Sequence, residues 1–165
     1  MDIEPPGAGT RFRLLLPSAA AAPSNRHLPG VVSKTALSSR TILVVDDDDG
    51  VRTVATLSLE RSGFRVVAAC DGEEGLAALR ECRGDFDAVL LDMTMPRLSG
   101  ADTCHVIRQM QPDLPIVLMS GYTEPDAVAR FGPHQAAGFL QKPFSPATLV
   151  RMIQDAILRR ARAQA

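Results

Sequence analysis

Short apolar runs alternate with longer amphipathic stretches over residues 41–163 of this chain. Each run is mostly β-branched or leucine-rich and is flanked by Gly, Pro or Asp, a pattern that predicts fully buried strands of a parallel sheet. Five such strands are predicted: Ile42–Val45, Arg65–Ala69, Ala88–Leu91, Ile116–Met119 and Gly138–Leu140.

Helix start signals lie between these runs. Asp71 with Glu74, and Ser99 with Asp102, resemble capping boxes, and Ser145 directly precedes a proline suited to the first helical position. Two apolar stripes at helical spacing follow, one of Thr103, Val106, Ile107 and Met110 and one of Leu149, Met152, Ile153, Ala156 and Ile157. Five strands alternating with five helices predict right-handed crossovers and an α/β fold, a doubly wound parallel sheet with helices on both faces.

The composition changes near residue 40. Residues 17–40 are rich in Pro, Ala and Ser without a sustained period, which predicts a flexible linker. The chain therefore divides into a short segment 1–16, the linker 17–40, and one globular domain 41–163.

The charge balance changes which partners are expected. Lys and Arg number 18 and Asp and Glu 19, so the basic excess of a nucleic-acid-binding domain is missing. No apolar run approaches the roughly 18 residues of a membrane helix. We therefore expect neither nucleic acid nor membrane as a partner. The three cysteines lack any CxxC spacing and indicate reduced thiols in a cytoplasmic protein.

Polar residues follow the predicted strands. Asp46 and Asp47 come after the first strand, Asp92 after the third, Ser120 after the fourth and Lys142 after the fifth. In a doubly wound sheet these strand ends form the ligand-binding edge. Three carboxylates on one edge repel each other unless a cation lies between them, and Mg²⁺ suits oxygen ligands. The ammonium and hydroxyl groups suit phosphoryl oxygens, and a carboxylate can itself accept a phosphoryl group.

The segments ILVVDDDD, DAVLLDMTMPRLSG, IVLMSGY and GFLQKPF, in this order, resemble the receiver domain of two-component response regulators. The resemblance covers residues 41–163 and implies a flavodoxin-like fold. It implies Asp92 as the phosphoacceptor and Asp46 and Asp47 as the acidic pair that holds Mg²⁺ together with Asp92. It also implies that the backbone carbonyl of Thr94 is a further metal ligand.

The same resemblance assigns a conformational switch. Ser120 matches the hydroxyl switch residue, Phe139 the aromatic switch position, and Lys142 the family's lysine, which precedes a cis bond to Pro143. Because residue 139 is Phe rather than Tyr, the ring can signal only by its burial or exposure. The output face would comprise the fourth helix, fifth strand and fifth helix, around residues 124–132 and 139–152.

The implied function is that of a phosphorelay module. Asp92 would take a phosphoryl group from a phosphohistidine of a histidine kinase or a histidine phosphotransfer protein. The chain is not expected to be an enzyme beyond Mg²⁺-dependent self-phosphorylation and self-dephosphorylation. Too few residues follow the fifth helix for a DNA-binding output domain, so direct gene regulation is not expected.

The first sixteen residues carry a second resemblance. IEPPGAGTRFRLLLP is similar to the end of the ATP-binding domain of sensor histidine kinases, where a G-x-G-T-x-F box leads into a last strand, here Arg13–Leu16. A kinase end, a linker and a receiver in this order suggest the C-terminal part of a hybrid histidine kinase. Since the body of the ATP-binding domain is missing, no kinase activity is expected of this chain.

Other interpretations remain open from the residues alone. The acidic run also suits a solvated helix start, and Asp48 and Asp49 are interpreted as N-cap and first-turn acids. A receiver that binds partners without being phosphorylated is one alternative function. An aspartyl-nucleophile phosphatase is another, although that family needs a second Asp where this chain has Thr94.

Overall fold

The structure, a computed structural model, describes residues 40–82, 86–131 and 136–164. The predictions for segment 1–16, and for the linker up to residue 39, lie outside these residues. In chain order the elements are β1 Thr41–Val45, α1 Asp49–Arg61, β2 Arg65–Ala69, α2 Gly72–Glu81, β3 Ala88–Asp92, α3 Gly100–Met110, β4 Ile116–Ser120, α4 Glu124–Phe131, β5 Gly138–Gln141 and α5 Pro146–Ala163.

The five strands form one parallel sheet in the order β2-β1-β3-β4-β5. The chain moves outward from β1 to β2, returns past β1 to β3, and continues outward to β5. This reversal between β1 and β3 is the switch point at which doubly wound sheets bind their ligands. The predicted fold class is confirmed.

Each face of the sheet buries its own apolar cluster, because successive strand residues point to opposite faces. One cluster joins the strands to α2 and α3 and includes Leu43, Val45, Leu91, Leu118, Leu76, Leu79, Cys104 and Ile107. The other joins them to α1 and α5 and includes Ile42, Val44, Leu90, Met119, Ala55, Leu59, Leu149 and Ile153. The strands are continuous apolar runs because helices cover both faces of the sheet.

Two strands differ from the prediction of full burial. In β2 only Ala69 is buried, and in β5 only Leu140. Both strands lie at an edge of the sheet and have a neighbour on one side only, so their outer side chains reach solvent. Met110 also differs from the prediction. It was placed in the apolar stripe of the third helix, but it is exposed at the end of α3.

The predicted start signals begin three helices as expected. The side chains of Asp71, Ser99 and Ser145 accept hydrogen bonds from the first-turn amides of α2, α3 and α5. Asp48 does the same for α1, as predicted, and Asp49 is the first-turn acid. These caps fix where each loop at the carboxyl edge of the sheet ends. None of the helices in the described ranges has the length and apolarity needed to cross a membrane.

Candidate functional site

The register of the sheet brings the predicted residues to one edge. Val45 pairs with Leu91, so Asp46 and Asp92, each the next residue, lie side by side at the ends of β1 and β3. On the other side of β3, Asp92 pairs with Met119, one residue before Ser120. Ser120 in turn pairs with Gln141, and Lys142 follows.

Lys142 joins the two central carboxylates. Its Nζ lies 2.8 Å from Asp46 Oδ2 and 2.9 Å from Asp92 Oδ1. Asp46 is fully buried and Asp92 is 3% exposed, whereas about a fifth of the lysine side chain is exposed. The other oxygen of Asp46 accepts the Asp48 amide at 2.9 Å. The ammonium therefore pairs with two carboxylates that solvent barely reaches.

Burial and ion pairing shift the pKa values of Asp46 and Lys142 in opposite directions. Burial raises the pKa of Asp46 above its ordinary value and outweighs the hydrogen bonds from Lys142 and the Asp48 amide. Burial alone would lower the pKa of Lys142, but its hydrogen bonds to Asp46 and Asp92 outweigh that effect and raise the pKa. Lys142 is therefore a permanent cation at neutral pH.

Three carboxylates form a cluster here. One oxygen from each of Asp46, Asp47 and Asp92 lies within 4.8 Å of the others, and Asp47 is exposed to solvent. A single lysine leaves two negative charges of this cluster uncompensated. All three donors are hard carboxylate oxygens, open to water on the Asp47 side, which is the ligand set that Mg²⁺ prefers. The residues present therefore fit a hard divalent cation.

The remaining predicted residues lie in β4 and β5 and in the loops that follow β3 and β5. Ser120 is buried, and its Oγ accepts the Tyr122 amide at 3.0 Å. Thr94 is exposed, and its amide donates to Asp92 Oδ2 at 3.3 Å. Phe139 is half-buried and packs against the apolar cluster between the sheet and helices α2 and α3. The peptide bond between Lys142 and Pro143 is cis.

Arg52 is a residue that the sequence analysis missed. Its Nη1 donates to the backbone carbonyl of Asp46 at 2.6 Å, and its Nη2 pairs with Asp49. Its position three residues after Asp49, on the next turn of α1, is the signal that could have indicated this role. Arg52 ties the acidic loop after β1 to the first turns of α1.

The loop of residues 93–99, between β3 and α3, is held closely against the phosphoacceptor candidate. The Gly100 amide donates to the Met93 carbonyl at 3.2 Å. A Cβ at Gly100 would lie 2.2 Å from the Asp92 carbonyl oxygen and 2.7 Å from Met93 Cα, so only glycine fits this approach. Met93 and Met95 are buried in the core.

The strand order and this edge define a class of protein: a doubly wound α/β domain whose switch point carries an acidic, lysine-bridged pocket. The chain belongs to the response regulator receiver domain family, because the sequence model of that family matches residues 42–154. The predicted family is thus confirmed, and with it a role in two-component signal transduction.

Known relatives agree with this assignment. The chain is 36% identical to the sensor kinase CckA of Brucella abortus over 157 residues, which cover 90% of this chain and 16% of CckA. It is 34% identical to the alkaline phosphatase synthesis transcriptional regulatory protein PhoP of Bacillus subtilis, over 74% of this chain and 50% of PhoP. The chain thus spans half or less of these relatives.

Solved structures show the same fold. A response regulator receiver domain protein from Clostridium thermocellum matches with a TM-score of 0.70 at 30% identity, over 75% of this chain and 98% of that one. The chemotaxis protein CheY4 of Vibrio cholerae matches with a TM-score of 0.66 at 30% identity, over 71% of this chain and 98% of that one. Nearly the whole length of each structure is therefore matched.

Proposed function

We propose that this chain is the phosphoryl-accepting module of a two-component phosphorelay and that Asp92 is the phosphoacceptor. The observation that carries the proposal is the Asp92 carboxylate, nearly buried at the switch point, with Lys142 Nζ at 2.9 Å and the carboxylates of Asp46 and Asp47 beside it. This arrangement supplies a nucleophilic oxygen, a fixed cation and the ligands for a second cation.

In the proposed reaction a carboxylate oxygen of Asp92 forms a new bond to phosphorus while the P–N bond to the donor's histidine breaks. The imidazole nitrogen keeps the electron pair of that bond. Asp46, Asp47, Asp92 and the backbone carbonyl of Thr94 would hold Mg²⁺, which when bound neutralises charge on the phosphoryl oxygens. Lys142 orients Asp92 before transfer and pairs with a phosphoryl oxygen afterwards.

The switch would start from Ser120. Its hydroxyl oxygen accepts the Tyr122 amide, so turning toward a phosphoryl oxygen would release that amide and alter the start of the loop before α4. Phe139 is half-buried and could turn further inward as this space changes. We infer a population shift between two packings that presents residues 124–132 and 139–152 to a partner.

We propose a histidine kinase or a histidine phosphotransfer protein as the donor and the cytoplasm as the place of the reaction. Cys70, Cys82 and Cys104 all lie within the described residues and form no disulfide, which agrees with a reducing compartment.

The test is phosphorylation by a small phosphodonor, phosphoramidate with Mg²⁺, followed by intact-mass analysis. We expect the wild type to gain one phosphoryl group and Asp92→Asn to gain none. Asp155→Asn, which removes an exposed carboxylate of α5, is the matched control and should be labelled like the wild type. Equal labelling of Asp92→Asn would overturn the assignment, and an unlabelled wild type would favour the phosphorylation-independent receiver.

We further propose that the parent protein is a hybrid histidine kinase. The alignment with CckA covers 90% of the chain, a share that residues 40–165 alone cannot supply, so it extends into the segment before the receiver. The kinase-like motif at residues 7–12 is a second and separate reason for this proposal. Reading the coding sequence upstream of this chain tests the idea, and an upstream frame without a kinase core would refute it.

A further inference from the structure

The loop of residues 93–99 is fastened to the start of α2 by two neighbouring residues. The Arg97 guanidinium pairs with the Asp71 carboxylate, which is 88% buried as a side chain. Leu98 packs on Gly72, the first residue of α2, so closely that a Cβ there would lie 3.1 Å from Leu98 Cδ2. The loop that follows Asp92 therefore contacts the first residues of α2, which directly follow β2.

Asp71 is fully engaged in this contact. Its Oδ1 accepts the Glu74 amide at 2.8 Å and caps α2, while its Oδ2 receives Arg97. Arg97 is the cation that pairs with Asp71, but 64% of the Arg97 side chain is exposed to solvent. The pair is therefore partly screened, and its loss should cost little stability.

The backbone of Arg97 is in the left-handed region, with φ at 65°. Non-glycine residues disfavour this region, and glycine would occupy it without strain. Strained residues of this kind persist where the surrounding contacts over-determine them, and they concentrate near functional sites. Here the strain is carried by a residue whose side chain makes the bridge to Asp71.

We propose that Arg97 is a positioning residue for the chemistry at Asp92. Its ion pair with Asp71 holds the 93–99 loop so that the Thr94 backbone stays against the Asp92 carboxylate, where its amide lies 3.3 Å from Oδ2. The proposal rests on the phosphoacceptor function proposed above, because Thr94 would supply a metal ligand from the same peptide region. Asp71, although it follows β2 at the far edge of the sheet, then contributes to phosphoryl transfer through Arg97.

Two variants separate this role from simpler explanations. Arg97→Gly removes the ion pair and also relieves the left-handed strain, so its melting temperature should not fall under either role. A merely structural role predicts unchanged Mg²⁺ binding, unchanged Thr94 exchange and unchanged chemistry. Asp71→Asn removes the same pair and keeps an N-cap acceptor, since Asn caps helices as well as Asp does. The two variants change the net charge in opposite directions, so a long-range electrostatic effect on an anionic phosphodonor would change their rates in opposite directions.

The experiment measures three quantities for the full chain. They are the melting temperature in EDTA, the Mg²⁺ dissociation constant by calorimetry, and the rate of Asp92 phosphorylation by phosphoramidate as a function of Mg²⁺. Hydrogen–deuterium exchange of the Thr94 amide supplies a readout that does not depend on activity. Arg97→Lys keeps the charge without the planar guanidinium and serves as the conservative variant.

We expect Arg97→Gly and Asp71→Asn each to weaken Mg²⁺ binding at least threefold and to speed Thr94 exchange at least threefold. The melting temperature of Arg97→Gly should not fall. The double variant should be no worse than the worse single variant, because both remove one interaction, and Arg97→Lys should lie between the wild type and Arg97→Gly. Wild-type Mg²⁺ affinity and Thr94 exchange in either single variant, or opposite rate changes in the two, would overturn the positioning role. An effect confined to Arg97→Gly would do so because the backbone freedom of glycine alone would then explain it. A wild type that binds Mg²⁺ but takes no phosphoryl group would instead refute the proposed function.

Discussion

Replacing Asp47 by Asn should stabilise the metal-free protein. Asp47 lies within 4.8 Å of both Asp46 and Asp92, while the lysine of the cluster pairs with those two carboxylates. At 4.8 Å and the dielectric constant of water, each repulsion is worth roughly 0.9 kcal/mol. Even if an attraction of the same size to Lys142 offsets one of the two repulsions, about 0.9 kcal/mol of stabilisation remains. For a domain of this size that corresponds to an increase in melting temperature of about 3–5 °C.

The assay is thermal unfolding in EDTA at low ionic strength, with Asp155→Asn as the charge-matched control. Asp155 is exposed on α5, and its substitution changes the net charge equally without touching the cluster. We expect the control to melt with the wild type and Asp47→Asn to melt higher. Added NaCl should reduce the difference, because Asp47 is exposed and its interactions are screened.

Magnesium should reverse the order of the two proteins. A ligand that binds only the folded state raises stability with its concentration, and the wild type holds one more carboxylate for it. In saturating Mg²⁺ the wild type should therefore melt above Asp47→Asn. A lower melting temperature for Asp47→Asn in EDTA, or the same Mg²⁺ response in both proteins, would refute the reasoning.

Two other substitutions test the packing and the charges of the site. Gly100→Ala places a Cβ 2.2 Å from the Asp92 carbonyl oxygen and should cost about 1–3 kcal/mol in urea unfolding, because backbone must shift. Gly121→Ala, whose Cβ would meet nothing within 4 Å, should cost less than about 0.5 kcal/mol, and equal costs would contradict the model of close approach. Lys142→Met leaves two buried carboxylates without a cation and should cost about 3–5 kcal/mol near pH 7. Burial already raises the pKa of Asp46, so its protonation on acidification favours the folded variant, and the deficit should shrink between pH 7 and pH 4. A deficit that is constant across this range in urea titrations would contradict the charge argument.

Most of the fold followed from the sequence because its apolar runs are short and are buried on both faces. All five strands were predicted within one residue, and the caps at Asp71, Ser99 and Ser145 were predicted correctly. The exposure of β2 and β5 was not predicted, because a strand becomes an edge through the order of the whole sheet. The local composition of a strand carries little information about that order.

The candidate site was predictable to the extent that it depends on strand ends. Parallel strands bring their carboxyl ends to one edge, so the residues at the carboxyl ends of β1, β3, β4 and β5 had to approach each other. The contacts of Arg52 and Arg97 were not predictable in this way. They depend on how the loops turn, and a left-handed backbone at an arginine contradicts the preference that sequence reasoning uses.

The hydrogen bond between Lys142 and Asp46 joins residues that are 96 positions apart. During synthesis all three carboxylates of the cluster emerge well before the lysine that pairs with two of them. A nascent chain that ends before β5 therefore holds the acids without their ammonium, and closing the sheet around them is opposed by their repulsion. The charge balance of this edge is therefore completed only when the last strand docks.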